Sequence, residues 1–148
     1  MGLHDGEFLF AGQRLRDEGV ELTDLTTLLR TSDVVCLTLP LTELTRGMIG
    51  RSELQTMKPT AFLVNVARGG ILDEDALFAA LRGGRIAGAA LDVRADENGP
   101  TPLAGLPNVV LTPHIGATTA ESQRRIGEVL VDSLVAALRG ETVANRIC

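Results

Sequence analysis

Residues 63–77 read Leu-Val-Asn-Val-Ala-Arg-Gly-Gly-Ile-Leu-Asp-Glu-Asp-Ala-Leu, and this stretch decides the fold. The apolar run over Phe62–Val66 has the length and composition of a buried strand. Arg68, Gly69 and Gly70 make a turn. Asp73 then caps a helix with Glu74 and Asp75 in its first turn, where the helix dipole favours acids. Gly83 and Gly84 end that helix. Strand, turn and capped helix in immediate succession form one α/β unit. In open parallel sheets ligands bind beyond the carboxyl ends of the strands, so a charge at Arg68 sits where a ligand is expected.

Similar runs lie on either side. Val34–Leu39 is an apolar run stopped by Pro40, and Ala87–Val93 and Val109–Leu111 are two more strand candidates. Val20–Leu22 is a short one. Helical patterns cover Phe8–Glu18, ending at Gly19, a brief segment from Thr23 and Asp24 through Leu29, and Ser52–Met57 before Pro59. Thr118 and Glu121 have capping-box spacing at the start of the last helix. Its apolar face, Ile126, Leu130, Leu134, Ala137 and Leu138, is widened by Val131 and Val135, which predicts cover on more than one side. Strands without polar alternation, separated by helices, predict a parallel sheet with helices on both faces. Arg94–Pro107 is the longest irregular stretch.

Length and composition narrow the function. The 148 residues, 45% hydrophobic, suit one domain with an aliphatic core, since Trp and Tyr are absent. A net charge of −5, with Lys58 as the only lysine, argues against a nucleic-acid partner. Cys36 and Cys148 form no disulfide framework or metal-ligand spacing, as suits a reducing cytoplasm. The first residues lack a signal-peptide pattern. The apolar stretch Val129–Leu138 is broken by Asp132, so no membrane span is expected.

Each strand candidate is followed by chemically informative residues. Pro40-Leu41-Thr42 follows the first, Arg68-Gly69-Gly70 the second, Asp92 and later Glu97 the third, and Pro113 to Ala117 the fourth. One sheet edge would therefore gather Arg68, Glu97 and His114. A carboxylate beside an imidazole fixes its tautomer and stabilises its charged form, which equips a histidine to give or take the proton of a hydroxyl or carbonyl oxygen. The planar fork of Arg68 suits a carboxylate. The three would hold a 2-hydroxy or 2-keto acid and move one proton, with a cofactor taking the hydride. Taken singly, each has a plainer reading: a structural histidine, a solvated surface arginine, an exposed loop acid beside Asp96 and Asn98, glycines that serve only the turn. Their shared place at strand ends favours the combination.

Four segments carry a family resemblance: SDVVCLTLPLTELTRGMIG, MKPTAFLVNVARGGILDEDAL, GAALDV and LTPHIGATT. In this order they resemble the cofactor domain of the D-isomer-specific 2-hydroxyacid dehydrogenases, phosphoglycerate dehydrogenase-like branch, over nearly the whole chain. The resemblance implies an NAD-dependent oxidoreductase acting on a small 2-hydroxy or 2-keto acid. In it Arg68 binds the substrate carboxylate and carbonyl, Glu97 partners the histidine, and His114 is the acid/base. It also implies cofactor contacts at Leu39, Val66, Ala67, Arg68, Asp92, His114, Gly116 and Ala117. Ungapped counting places Glu7 at the acid that holds the adenosine ribose, with Asp5 as the rival in a shifted register. Glu7 favours NAD, and NADP stays open as the alternative. No metal is implied.

The chain also departs from the family. Members usually continue Glu-Pro at the catalytic acid, whereas Asn98 follows Glu97 here and Pro100 comes next. No GxGxxG follows a strand, and no separate substrate domain is present. Residues 1–148 therefore read as a partial NAD-binding domain: an α/β, Rossmann-like parallel sheet with flanking helices, incomplete because its first strand, glycine-rich loop and first helix are absent. Loss of that strand is expected to expose two apolar strand edges. A homodimer or a complementing N-terminal chain are the expected protein partners. The alternative function is a non-catalytic binding or regulatory module that retains the fold.

Overall fold

A computed structural model of the chain describes Asp17 and residues 19–143. Glu7, its rival Asp5, Cys148 and most of the helix expected over Phe8–Glu18 lie outside the described residues.

Four parallel strands form one sheet: β1 (Val34–Leu37), β2 (Phe62–Asn65), β3 (Gly88–Leu91) and β4 (Val109–Leu111), in the spatial order β1-β2-β3-β4. Val20–Leu22, expected as a strand, is irregular. The four strands are therefore contiguous, with β1 and β4 as the edges. The crossovers carry helix α2 (Arg51–Thr56) between β1 and β2, and α3 (Glu74–Arg82) between β2 and β3. Helix α1 (Leu25–Thr31) precedes β1, a 3₁₀ turn (Pro102–Gly105) precedes β4, and α4 (Ala120–Leu138) follows it.

Local sequence explains these boundaries. The Asp73 carboxylate accepts from the Ala76 amide at 2.9 Å, and the Gly83 amide closes the far end of α3 on Ala79. Asp24 caps α1 in the same way through Thr27. Helix α4 is capped by Thr119, whose side chain accepts from the Ser122 amide, and not by Thr118. A threonine hydroxyl one residue later satisfies an orphan amide of the first turn equally well.

The core lies on one face of the sheet. Val35, Leu63 and Ala89 pair in register and are buried, as are Leu37, Asn65 and Leu91. Leu29 of α1, Leu54 of α2 and Leu77 and Leu81 of α3 pack against these rows. Burying a leucine completely, as at Leu77, contributes about 1.5–3 kcal/mol. The opposite face carries Val34, Phe62 and Val110, all at least half exposed. Among the described residues the helices thus cover one face, where both were expected. Helix α4 differs from expectation as well. None of its residues is buried, and Leu130, Leu134 and Leu138 face solvent.

Candidate active site

The carboxyl ends of the strands are level, because Leu37, Asn65, Leu91 and Leu111 stand in register across the sheet. Everything that follows each strand therefore emerges along one edge.

At the end of β2, Asn65 is 1% exposed. Its Oδ1 accepts from the Ala67 amide and its Nδ2 donates to the Arg68 carbonyl, both at 3.1 Å. An apolar side chain there would leave these backbone groups without partners in a dry environment. Asn65 thus closes the turn that presents Arg68. The Arg68 side chain is exposed and donates through Nη1 to the Ala67 carbonyl at 2.6 Å. Beside it lies a cleft of about 520 Å³ lined by Thr38–Leu41 and Val66–Arg68. Leu39, Val66 and Ala67, expected near a cofactor, all line this cleft. Val66 is 47% exposed, while the Ala67 methyl belongs to the core.

Gly69 allows the next close approach. A Cβ on it would stand 2.0 Å from the Arg94 carbonyl oxygen, so no side chain fits between the two loops. Gly70 has a φ of 81°, which glycine adopts without penalty, and its carbonyl accepts from the Gly47 amide.

At the end of β3, Asp92 organises the loop after β4. Its Oδ1 accepts from the Thr112 hydroxyl at 2.5 Å and the Ile115 amide at 2.9 Å, and its Oδ2 from the Gly116 amide at 2.8 Å. The Thr112 and Ile115 donors hold this carboxyl below the ordinary aspartate range. Burial opposes them, and the Gly116 donor and the charge of His114 add to the lowering. The Asp92 carbonyl also accepts from the His114 amide at 2.8 Å. Bound this way, His114 adopts a φ of 55°, a left-handed conformation that non-glycine residues seldom take.

His114 Nδ1 lies 2.9 Å from Glu97 Oε1, with both side chains about two-fifths exposed. The departure at Asn98 does not keep Glu97 away, because Asp96 shapes the loop instead. Its Oδ1 accepts from the Asn98 amide at 3.2 Å and the Gly99 amide at 2.9 Å. With Nδ1 taken by Glu97, Nε2 remains as the ring atom able to exchange a proton.

Of the expected constellation, the structure joins Glu97 to His114 directly. Arg68 stands on the same edge, with no ion pair to Glu97 among the described residues. Asp92, expected to face the cofactor, directs both carboxylate oxygens to the loop after β4. Gly116 and Ala117 lie exposed just beyond. Asn65, Thr112, Arg94 and Asp96 escaped the sequence reading. Asn65 had a visible signal, a single amide inside an apolar strand. Among the described residues no group of three or more His, Cys, Asp or Glu side chains could hold a metal. No described helix is long and apolar enough to cross a membrane.

The profile of the D-isomer specific 2-hydroxyacid dehydrogenase NAD-binding domain matches residues 10–116. The chain belongs to this family. A glyoxylate/hydroxypyruvate reductase B from Pectobacterium carotovorum subsp. carotovorum (strain PC1) is 52% identical over 124 residues, 82% of this chain and 39% of the relative. A D-3-phosphoglycerate dehydrogenase from Archaeoglobus fulgidus is 42% identical over 137 residues, covering 91% of this chain and 26% of that enzyme. Among solved structures, the NAD-complexed D-isomer specific 2-hydroxyacid dehydrogenase from Lactobacillus delbrueckii ssp. bulgaricus superposes with a TM-score of 0.82 at 35% identity. That match covers 88% of this chain and 44% of the other. The chain thus has the Rossmann-like fold of the dehydrogenase family and spans less than half the length of each of these relatives.

Proposed function

We propose that this chain supplies the acid–base part of an NAD-dependent D-2-hydroxyacid dehydrogenase, with His114 as proton carrier, Glu97 as its partner and Arg68 as substrate anchor. The observation that carries this reading is the 2.9 Å contact between His114 Nδ1 and Glu97 Oε1 at the sheet edge that also bears Arg68. The Glu97 carboxylate fixes the neutral ring with its proton on Nδ1 and stabilises the charged ring. Nε2 then takes the hydroxyl proton of a 2-hydroxy acid, or returns it to the carbonyl oxygen of a 2-keto acid. The Arg68 guanidinium offers parallel donors to the substrate carboxylate and orients the reacting carbon.

NAD, when bound, supplies the hydride acceptor or donor at that carbon. The cleft beside Arg68 fits the nicotinamide end of such a cofactor: it is open, sits at the strand ends and is walled by Leu39, Val66 and Ala67. Among the described residues no glycine-rich loop after a strand offers a pyrophosphate site. The choice between NAD and NADP turns on the ribose-side residues, Glu7 or Asp5. Residues 1–148 then form part of an NAD-binding domain acting in the reducing cytoplasm, with the phosphate grip supplied by a complementing N-terminal chain and a second copy as the other protein partner.

The test is reduction of small 2-keto acids with NADH and with NADPH, by this chain alone and with an N-terminal chain carrying a phosphate loop. Reconstituted turnover is expected, and His114→Ala is expected to lower kcat by about 10²–10⁴-fold. Unchanged turnover in His114→Ala or Arg68→Ala would favour a non-catalytic module that keeps these residues for folding. Tight, stoichiometric NAD binding by the chain alone, read by calorimetry, would overturn the claim that the phosphate grip comes from elsewhere.

A further inference from the structure

Arg94 emerges just past β3, three residues before Glu97. Its guanidinium forks onto two carbonyl oxygens of the loop that bears the acid. Nη2 donates to the Glu97 carbonyl at 2.7 Å and Nη1 to the Gly99 carbonyl at 3.1 Å. The base of the loop is tied as well. The Arg94 carbonyl rests against Gly69, and the Ala95 amide donates to Glu74 Oε1 at 2.6 Å. Residues 95–98 have no regular structure and are exposed. An acid on such a segment samples many positions unless its backbone is held. A planar fork with two parallel donors restrains backbone far better than a single point charge does.

We propose that Arg94 is a positioning residue for Glu97. It fixes the Glu97 backbone so that the carboxylate meets His114 Nδ1, and in this way it sets the tautomer of a ring that it does not itself touch. The same fork braces a loop in which Asn98 and Gly99 follow the acid without a stiffening ring. The proposal rests on the reading of Glu97 and His114 as a pair, and its readout is the proton position on the ring, which requires no turnover.

The test is long-range proton–nitrogen NMR of the 148-residue chain at a pH where the imidazole is neutral. The chain has two histidines, so a His4→Gln background leaves the His114 ring alone in the spectrum. The starting protein is expected to show one tautomer, protonated on Nδ1. Arg94→Ala is expected to lose that single-tautomer signature and to show the averaged pattern of a solvated ring, as Glu97→Ala does. Arg94→Lys is expected to recover it in part, because one ammonium cannot reproduce the fork. A residue that merely stabilised the loop would not move the ring proton. If Arg94→Ala keeps the signature while Glu97→Ala loses it, the positioning role is overturned and the acid–base pair stands. If Glu97→Ala keeps it too, both fall. Backbone amide spectra report folding. Should Arg94→Ala fail to fold, Arg94→Gln, with a single amide nitrogen and no fork, decides by the same criterion.

Discussion

The Asp92 carboxylate accepts the Gly116 amide at 2.8 Å, and a Cβ on Gly116 would approach the same Oδ2 to 2.9 Å. The close fit makes this side chain the keystone of the loop that carries His114. Asn in its place would turn an amide group toward one of the donors it now accepts. Asp92→Asn is therefore expected to cost about 1–3 kcal/mol of stability, the range for a buried donor left unsatisfied. Urea unfolding checks it, and an unchanged midpoint would remove the keystone role. The chain has no Trp or Tyr, so amide NMR signals of β2 and β3 are the suitable probe.

Asp92 also gives stability a pH dependence. Its donors hold the folded carboxyl below the ordinary aspartate value of 3.8. The unfolded chain therefore takes up the proton first as pH falls. The contribution is present in full above about pH 5 and is lost progressively as pH drops through the folded value. The urea midpoint of the parent protein is expected to decline over that range more steeply than that of Asp92→Asn. Parallel slopes would show that other carboxylates govern the acid limb.

Gly69 is fixed by its neighbour on the loop after β3. With the Arg94 carbonyl oxygen only 2.0 Å from an added Cβ, Gly69→Ala must push two backbone loops apart. The expected loss exceeds the ~1–3 kcal/mol of ordinary overpacking. It also shifts the base of the Glu97 loop. Gly105→Ala is the control, because nothing lies within 4 Å of its added Cβ. Equal midpoints for the two variants would contradict the close approach.

The backbone at His114 separates folding from chemistry. Asn tolerates the left-handed region through its short polar side chain, whereas a β-branched residue does not. His114→Val is expected to be about 1–3 kcal/mol less stable than His114→Asn, although both remove the imidazole. Thermal melts of the two proteins side by side measure this difference.

The segment around Arg68 was readable because its cues agree. An apolar run, paired glycines and an Asp-Glu-Asp helix start all point to one strand, one turn and one helix. Register was not readable, since period and propensity say nothing about which strand stands beside which. Yet register is what levels the four strand ends. Val20–Leu22 misled for a related reason: three apolar-to-acidic residues resemble a strand until no neighbour pairs with them. At the site, residue types and strand-end placement pointed to Glu97 and His114. The supporting groups stayed hidden, because Arg94 acts through backbone carbonyls and Asp96 and Thr112 act on loops. Such roles depend on tertiary geometry that no local pattern encodes. Asn65 is the exception that a closer reading of the strand would have caught.

Helix α4 has a consequence for how the protein melts. Its half-buried positions are Ser122, Ser133 and Ala136, while its leucines and valines face water. Its order therefore rests on the Thr119 cap and on local pairs such as Arg124 with Glu128 at 3.6 Å. Exposed pairs of that kind contribute only about 0.3–0.5 kcal/mol, and most helical stability in proteins comes from tertiary packing of an apolar face, which no buried residue of α4 provides. The protein is thus expected to lose its structure in two stages: a gradual, non-cooperative fraying of α4, seen as early loss of helical circular dichroism, followed by one sharp transition of the sheet. Heat capacity and spectroscopy would then report different midpoints for the same chain, and a single unfolding free energy would describe only the part that bears Arg68, Glu97 and His114.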